Sequence, residues 1–248
     1  MKAVILAAGY ATRLYPLTEN KPKGLLQVGN ASILDHLVDQ LNEITALDEI
    51  VLVSNARFYD QFNDWKKTSA SRVPVRVLND KTDSNENRLG AVGDLGLAIR
   101  QVGIKDSILL LASDNLFEQS LSDFTVYAVS RKDTIVIGVF DIGRPELAVK
   151  KFGVIEKNAS DEVIGFEEKP EKPKSSLIGM GVYYFPASAL HFVEEYLRDK
   201  NAGDAPGYFV RWLLGRVKIL SLLFRGLWYD IGDLKSLEEA NLIFKSKK

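Results

Sequence analysis

Cysteine is absent from the 248 residues of this chain. Its absence excludes disulfide frameworks, cysteine-ligated zinc, iron–sulfur clusters and thiol nucleophiles. Histidine is nearly absent too: His36 and His191 both fall in predicted helices, and neither stands in a His-x-His motif. A covalent histidine–nucleotide intermediate therefore has no candidate nucleophile, and both side chains are expected to pack against neighbours or to face solvent.

An excess of charge of one sign is lacking as well. Lysine and arginine together number 32, aspartate and glutamate number 33, and the net charge is -1. No overall basic field exists that would hold a nucleic acid. No apolar run approaches the roughly 20 residues that span a bilayer, and the run at the N-terminus is too short for a secretory leader. We therefore expect a cytoplasmic protein with neither a nucleic-acid nor a membrane partner.

What the chain does contain is typical of a globular protein, with 46% apolar and 26% charged residues. In the first half, short apolar runs alternate with helical patterns. The predicted strands cover 3–6, 49–53, 75–77, 107–111 and 134–139, and the predicted helices cover 33–44 and 90–101. Several of these runs are apolar at successive positions, as in strands buried on both faces of a parallel sheet. The alternation predicts an α/β fold with right-handed crossovers.

After residue 139 the pattern changes to strands joined by short polar loops. Strands are predicted at 152–156, 162–167 and 181–185, with no helix between the first two, which indicates an antiparallel insertion. The elements predicted to follow are helices at 187–200 and 209–216, a strand at 217–221 and a closing helix at 234–244. Because the chain has no internal repeat and no long linker, we expect one domain over 1–248.

The segment from Leu6 to Thr18, LAAGYATRLYPLT, leaves the first predicted strand and enters a loop of small residues. Small side chains at positions 7, 8, 9 and 11 let backbone N–H groups approach an anion, and Arg13 and Lys23 can supply compensating charge. The competing interpretation is a tight turn with solvated basic residues. Neither the P-loop pattern nor the Gly-x-Gly-x-x-Gly pattern of dinucleotide-binding proteins follows this strand.

Two aspartates that are distant in the sequence are candidates for holding a cation. Asp114 follows the buried run at 108–113, and the carboxyl end of a central strand can place a carboxylate against Mg²⁺ and phosphate oxygens. Asp230 lies in the segment WYDIGD at 228–233. Each aspartate alone is explained equally well as a turn residue or a helix cap. What favours the metal is the pair, because Mg²⁺ takes one or two carboxylates together with phosphates and waters.

The pattern Leu-Ala-Ala-Gly-x-x-Thr-Arg-Leu-x-Pro-Leu-Thr, with Pro-Lys shortly after it, resembles the signature of the sugar-phosphate nucleotidylyltransferases. Ala11 stands where that family usually has glycine, and Gly24 where it often has proline. The resemblance extends along the chain, since Ser113-Asp114-Asn115 is similar to the family's Gly-Asp-Asn and WYDIGD to its Trp-x-Asp-x-Gly-Thr. It implies a mostly parallel, doubly wound (Rossmann-like) sheet with a small antiparallel sugar-binding insertion. The nucleotide-binding half would span about 1–140 and the sugar-binding half about 141–248.

The resemblance also implies an activity like that of glucose-1-phosphate thymidylyltransferases. Such an enzyme transfers a nucleotidyl group from a nucleoside triphosphate, here dTTP or UTP, to a sugar 1-phosphate such as glucose 1-phosphate, and releases pyrophosphate. Its cofactor would be Mg²⁺ on Asp114 and Asp230, its partners would be the two substrates, and homo-oligomerisation stays open. The alternative is a non-catalytic sugar-nucleotide-binding regulatory subunit on the same fold. Loss of Arg13, Lys23 or Asp114 would have indicated that alternative, and all three are present.

The same resemblance assigns the remaining site residues, with Arg13 and Lys23 as the catalytic side chains. The nucleotide-binding positions are Leu6, Ala8, Gly9, Thr12, Asn85 and Gly90, and the sugar-phosphate-binding positions are Gly153, Glu168, Lys169 and Gly181. In the family's Glu-Lys-Pro segment the lysine pairs with the sugar phosphate and the preceding glutamate bonds sugar hydroxyls. Taken alone, the segment at 167–174 is a solvated charged loop and the segment at 80–90 an Asx-rich loop, so both assignments depend on the resemblance. Met180 stands where the family has a small or hydroxylated residue, beside the expected sugar pocket.

Overall fold

The computed structural model describes residues 1–199 and 204–245. Its strands are β1 (Lys2–Leu6), β2 (Gln27–Val28), β3 (Ala31–Ser32), β4 (Glu49–Ser54), β5 (Val75–Asn79), β6 (Ile108–Ala112), β7 (Asn115–Phe117), β8 (Ile135–Asp141), β9 (Gly153–Lys157), β10 (Val163–Glu168), β11 (Leu177–Phe185), β12 (Ile219–Phe224) and β13 (Trp228–Asp230). Its α-helices are α1 (Ile33–Asn42), α2 (Tyr59–Thr68), α3 (Ala91–Val102), α4 (Leu121–Ser130), α5 (His191–Arg198), α6 (Pro206–Leu213) and α7 (Leu234–Lys245). None of these helices has the length and the apolar character that a membrane crossing requires.

The chain forms two compact units, each assembled from separate stretches of sequence. Unit 1 comprises Met1–Leu89, Leu111–Ser122 and Gly226–Lys248, and unit 2 comprises Gly90–Leu110 and Asp123–Arg225. That the whole of 1–248 is one domain, with halves of about 1–140 and 141–248, stays a prediction. The cytoplasmic location stays a prediction as well.

Unit 1 is built on parallel strands whose side chains are apolar at successive positions. β1 pairs with β4 in parallel, with Val4 opposite Val51, and β4 pairs with β5 in the same way. Every residue of β4 is buried. Because both faces of β1 and β4 are covered, successive apolar residues form these two strands, as the sequence pattern predicted, whereas β5 exposes Arg76.

Helix α1 begins where the sequence offers a capping box. The hydroxyl of Ser32 accepts a hydrogen bond from the Asp35 N–H (3.1 Å), and the Asp35 carboxylate accepts one from the Ser32 N–H (3.0 Å). Two orphan donors of the first turn are thereby satisfied. The buried face of the helix consists of Ile33, Leu34, Leu37, Val38 and Leu41.

Unit 2 contains the antiparallel pairs that the sequence predicted after residue 139. β9 pairs with β10 antiparallel and β11 pairs with β8 antiparallel, whereas β12 joins β8 in parallel. The predicted α/β class, with a mostly parallel sheet and an antiparallel insertion, is confirmed.

Several elements differ from the sequence-based expectation. Helices α2 and α4 and the short strands β7 and β13 were not predicted. Only Phe62 is buried among the residues of α2, so its apolar pattern is weak. Helix α4 contains Phe, Tyr, Thr and two Val residues, types that favour strands in isolation. The helix expected at 187–200 divides into a 3₁₀ turn at Ala187–Ala189 followed by α5, and Lys200 lies outside the described residues.

Candidate active site

The loop after β1 is held through its carbonyl groups. The amide of Asn55 donates to the Ala8 carbonyl (Nδ2···O 2.9 Å), and the hydroxyl of Thr18 donates to the Ala11 carbonyl (Oγ1···O 2.8 Å). Both donors belong to fully buried side chains. The side chains of Asn55 and Thr18 therefore help to define the shape of the loop.

The N–H groups of the same loop are left unused. Among the described residues, the backbone N–H groups of residues 8–13 donate to no other group. A run of free backbone donors in a turn is the arrangement that binds phosphate oxygens. Gly9 supports this interpretation, because it is exposed and a Cβ built on it would meet no atom within 4 Å. Neither packing nor a positive φ requires glycine there, so the space beside it is open for a ligand.

Ala11 and the 3₁₀ turn that follows it determine where Arg13 lies. Ala11 has φ 47° and ψ 40°, the left-handed region in which a Cβ costs about 1–2 kcal/mol. The related pattern has glycine at this position, and the Thr18 bond to the Ala11 carbonyl helps to hold the alanine there. Thr12 and Arg13 follow in a 3₁₀ turn, Thr12–Leu14, in which both are exposed and Leu14 is buried. Leu14 thus anchors a turn that presents the Arg13 guanidinium to solvent.

Lys23, Asp114 and Asp230 converge in unit 1. The ammonium nitrogen of Lys23 lies 2.7 Å from Oδ2 of Asp114 and 4.0 Å from Oδ1 of Asp230. Asp114 lies in the two-residue turn between β6 and β7, and the N–H of Ser113, the other turn residue, donates to the carbonyl of Leu6 at the end of β1 (3.2 Å). Asp230 ends β13, and the antiparallel pairing of β13 with β7 places it opposite Asn115. The three charged side chains therefore meet at the carboxyl ends of the parallel strands.

Two neighbours that sequence reasoning missed orient this cluster. The Asn115 amide donates to Oδ1 of Asp114 (3.0 Å), and its Oδ1 accepts from the Trp228 indole (2.8 Å). Each end of the Asn115 amide is therefore satisfied, and the amide links β13 to the carboxylate of Asp114. The available signal was the position of Asn115 and Trp228 beside the two aspartates in their motifs.

The donor set fits a hard divalent cation. Asp114 and Asp230 keep 27% and 26% of their side-chain surface exposed, so an ion with its waters could reach them. Among the described residues no group of three or more potential ligands occurs. Two carboxylates are nevertheless what Mg²⁺ requires when phosphates and waters complete its shell. Lys23 already places one positive charge against both carboxylates, which shows that this position favours cations.

The sugar-side residues lie in unit 2 around the end of β10. Glu168 pairs with Gly153 across β9 and β10. A Cβ at Gly153 would overlap the ring of Phe166, and one at Gly207 would overlap both that ring and the Glu168 carboxylate. The absence of these two side chains makes room for Glu168, of which only 10% is exposed. Gly207 was not predicted from the sequence, where it follows Pro206 and belongs to none of the motifs.

Burial dominates the electrostatics of this region. Desolvation raises the pKa of the Glu168 carboxyl above its ordinary value, and the Lys169 ammonium, 3.9 Å away, partly opposes that shift. Desolvation also raises the pKa of the Tyr183 phenol, and the charge of Glu168 adds to the shift. Glu168 is thus a largely buried acceptor whose ion pair with Lys169 is long, at 3.9 Å, as would suit a group that binds sugar hydroxyls.

The other sugar-side residues differ in exposure. Lys169 has φ 48° and is exposed, and its N–H donates to the Phe152 carbonyl (3.2 Å). Gly181 has φ 72° and lies where the register of β11 against β8 shifts. Met180 is buried and packs against Gly138, so its thioether does not face an open pocket. The expectation that Met180 lies beside the sugar is not supported, because alternation along β11 turns it into the core.

In the segment at 80–90, several polar side chains form hydrogen bonds with one another. Oδ1 of Asn85 accepts from the Arg88 guanidinium (2.6 Å), and the Asn87 amide closes its own loop through Asp83. Gly90 has φ 78°, and a Cβ there would overlap the Asp204 carboxylate. Asn85 belongs to unit 1 and Gly90 to unit 2. A role for either residue in nucleotide binding stays a prediction.

Comparisons with known proteins agree on one family. A family model described as nucleotidyl transferase matches residues 2–247. The bifunctional protein GlmU of Methanocaldococcus jannaschii is 26% identical over 244 residues, which cover 97% of this chain and 53% of that protein. The chain thus spans about half the length of the GlmU proteins it matches. The UTP–glucose-1-phosphate uridylyltransferase AglF of Haloferax volcanii is 30% identical over 210 residues, which cover 82% of this chain and 79% of AglF.

A comparison with solved structures finds a protein of similar fold. UDP-glucose pyrophosphorylase, complexed with UDP-glucose, superposes with a TM-score of 0.84 at 19% identity, covering 100% of this chain and 99% of that one. At this level of identity the likeness shows the fold alone.

Proposed function

Because this chain belongs to the nucleotidyl transferase family, we propose that it transfers a nucleotidyl group from a nucleoside triphosphate to a sugar 1-phosphate and releases pyrophosphate. The observation that carries this proposal is the convergence of Lys23, Asp114 and Asp230 at the strand ends of unit 1. The unused N–H groups of residues 8–13, in the same unit, add a site for phosphate oxygens.

The reaction requires no general base. An oxygen of the sugar phosphate attacks the α-phosphorus in line, and the bond from that phosphorus to the β-phosphate oxygen breaks. The second pKa of a phosphate monoester is about 6, so the nucleophile is already ionised at neutral pH. The protein has to supply alignment and neutralising charge. The site contains basic side chains and free N–H groups, which are suited to those two tasks.

Each basic residue has a proposed part. Arg13, which forms no ion pair among the described residues, would brace the β- and γ-phosphates, and Lys23 would bind the α-phosphate. Lys169 would pair with the sugar phosphate, while the buried carboxylate of Glu168 would accept hydrogen bonds from sugar hydroxyls. Charge that develops on the departing pyrophosphate would then be met by the guanidinium and the loop N–H groups.

Magnesium is the proposed cofactor, held by Asp114 and Asp230. When bound, it would supply neutralising charge to the α-phosphate during transfer. The two carboxylates supply the oxygen ligands that this ion prefers.

The proposed substrates are dTTP or UTP and a hexose 1-phosphate such as glucose 1-phosphate, as for a glucose-1-phosphate thymidylyltransferase. The similar protein AglF is described as using UTP and glucose 1-phosphate. The segment LAAGYATRLYPLT also resembles the signature of a family that includes the glucose-1-phosphate thymidylyltransferases, which use dTTP.

The test is a screen for pyrophosphate release. Each common nucleoside triphosphate is combined with a panel of sugar 1-phosphates in the presence of Mg²⁺, with Asp114→Ala as the inactive control. We expect release with a pyrimidine nucleotide and glucose 1-phosphate. Tight binding of nucleotide sugars without pyrophosphate release from any pair would contradict the proposal and favour a regulatory subunit.

A further inference from the structure

Tyr10 is the one large side chain among residues 7–11, and it points into the protein. Only 5% of its surface is exposed, although its neighbour Gly9 is open to solvent. Its phenolic oxygen lies 3.3 Å from Oγ1 of Thr82, which is buried as well. A phenylalanine would fill the same space, so the hydroxyl has to be explained separately.

The direction of this hydrogen bond follows from the partners of Thr82. A threonine hydroxyl has a single proton. In Thr82 that proton is directed at the Asp80 carboxylate, with distances of 2.9 and 3.0 Å to the two oxygens. Tyr10 must therefore donate to Thr82. Burial raises the pKa of the Tyr10 phenol, so the phenol keeps its proton at neutral pH.

The acceptor end of this chain of hydrogen bonds is anchored to the parallel strands. The Thr82 N–H donates to Oδ1 of Asp80 (2.7 Å), and the Asp80 N–H donates to the Ser54 carbonyl at the end of β4 (2.8 Å). The Ala56 N–H donates to the Thr82 carbonyl (2.8 Å). The oxygen that Tyr10 meets is thus held by the backbone that follows β4 and β5.

We propose that Tyr10 is a positioning residue for triphosphate binding, acting through Thr82 and Asp80. The side chain leaves the loop between Gly9 and Ala11, in the middle of the run of unused N–H groups. Holding its hydroxyl fixes the backbone on both sides, so those donors are oriented before a ligand arrives. A preformed arrangement loses less conformational entropy when the anion binds. This inference rests on the proposed function for its ligand class, a triphosphate.

The test compares two buried tyrosine hydroxyls that each bond another hydroxyl. Tyr184 is also 5% exposed, and its phenol donates to Oγ of Ser107 (3.0 Å) in unit 2, so Tyr184→Phe is a matched control for Tyr10→Phe. Binding of inorganic tripolyphosphate is measured by calorimetry, and unfolding by thermal melts. We expect both variants to melt at slightly lower temperature. Only Tyr10→Phe should bind tripolyphosphate more weakly, by about threefold to tenfold.

Variants at Thr82 complete the test. Thr82→Val removes the acceptor and should weaken tripolyphosphate binding to a similar extent, with little further loss in the double variant with Tyr10→Phe. Thr82→Ser keeps the hydroxyl and should restore the wild-type affinity. Equal affinity of Tyr10→Phe and wild type, or no binding by the wild type, would overturn the inference. Binding without pyrophosphate release from any substrate pair would instead overturn the proposed function and leave this measurement valid.

Discussion

The ammonium of Lys23 lies 2.7 Å from the carboxylate of Asp114 and reaches Asp230 at 4.0 Å. A single cation therefore stands against two carboxylates, one in the turn between β6 and β7 and the other at the end of β13. Its side chain is 14% exposed, so solvent screens the pair less than a surface ion pair. The charge of Lys23 lowers the repulsion between the two aspartates, and it also opposes any second cation that approaches them.

Replacing Lys23 by methionine should separate these two effects. We expect Lys23→Met to bind Mg²⁺ about tenfold more tightly in the absence of nucleotide, because a like charge has been removed. Turnover should fall, because the α-phosphate loses its cation. Calorimetric titration with Mg²⁺ and steady-state kinetics measure the two quantities. Lys67→Met is the control, since Lys67 forms an ion pair of the same length with Asp64 on the exposed surface. An unchanged Mg²⁺ affinity in Lys23→Met would contradict this account.

Removing either proposed metal ligand should abolish most of the activity. We expect Asp114→Ala and Asp230→Ala each to lower kcat by about 100-fold or more. The losses should be far from additive in the double variant, because both carboxylates would hold one ion. Kinetics at varied Mg²⁺ concentration test this. If Asp230→Ala kept a near-normal rate and Mg²⁺ dependence, Asp230 would be a turn residue only.

Gly9→Ala should affect binding without affecting the fold. A Cβ at Gly9 meets no atom within 4 Å, so we expect the free energy of unfolding to change by less than about 1 kcal/mol. Affinity for the nucleoside triphosphate should fall, since the methyl group enters the space beside the free N–H groups. Gly207→Ala offers the contrast, because its Cβ would overlap Glu168 and Phe166 and should destabilise the protein. Wild-type nucleotide affinity in Gly9→Ala would show that the loop does not contact the phosphates there.

Arg13 and Lys169 should differ in which kinetic constant they control. Lys169→Ala is expected to raise KM for the sugar phosphate about tenfold, because that substrate carries its charge before reaction. Arg13→Ala is expected to lower kcat, because charge on the departing pyrophosphate grows in the transition state. Some loss of kcat in Lys169→Ala is also expected from misalignment of the nucleophile. Unchanged KM and kcat in Lys169→Ala would reduce the segment at 167–174 to a solvated loop.

The buried Glu168 carboxylate should lower the free energy of unfolding at neutral pH, although the proposed function needs it to bind the sugar phosphate. Burial raises its native pKa above the unfolded value near 4.5, so the native state binds more protons in the window between these values. Stability therefore falls as the pH rises through that window, and the cost is complete above it. We expect Glu168→Gln to raise the melting temperature at pH 7, to flatten this pH dependence and to weaken sugar-phosphate binding. Glu167→Gln, at a partly exposed neighbour, is the control. A lower melting temperature for Glu168→Gln at pH 7 would contradict the desolvation argument.

The regular elements near the site could be predicted from the sequence because their signals are local. Successive apolar residues predicted β4, and apolar residues at helical spacing predicted the helix at 33–44 that the structure has as α1. In both cases neighbours along the chain determine the backbone conformation. Helix α2 was missed because this local signal is weak in it. Although α2 contacts β5, only Phe62 of its residues is buried, so its sequence has little apolar periodicity.

The site residues also divide into those that a local sequence motif indicates and those that only the folded chain brings together. The motifs around Gly9, Asp114 and Lys169 could be singled out by resemblance, but Asn55, Thr82 and Gly207 could not. Asn55 and Thr82 contact the glycine loop from positions 47 and 72 residues away in sequence. No periodicity or short motif encodes a contact of that kind, so only the folded chain identifies them.

By itself, the sequence determined the alternation of strands and helices, the absence of cysteine chemistry and the position of a small-residue loop after the first strand. The tertiary structure alone decided that Lys23 and Asp114, which are 91 positions apart, form one cluster with Asp230. It also decided that Glu168 is buried beside two glycines rather than solvated in a charged loop. The physical reason is that backbone conformation depends mainly on neighbouring residues. Convergence and burial depend on strand pairing and on the packing of segments that are distant in sequence.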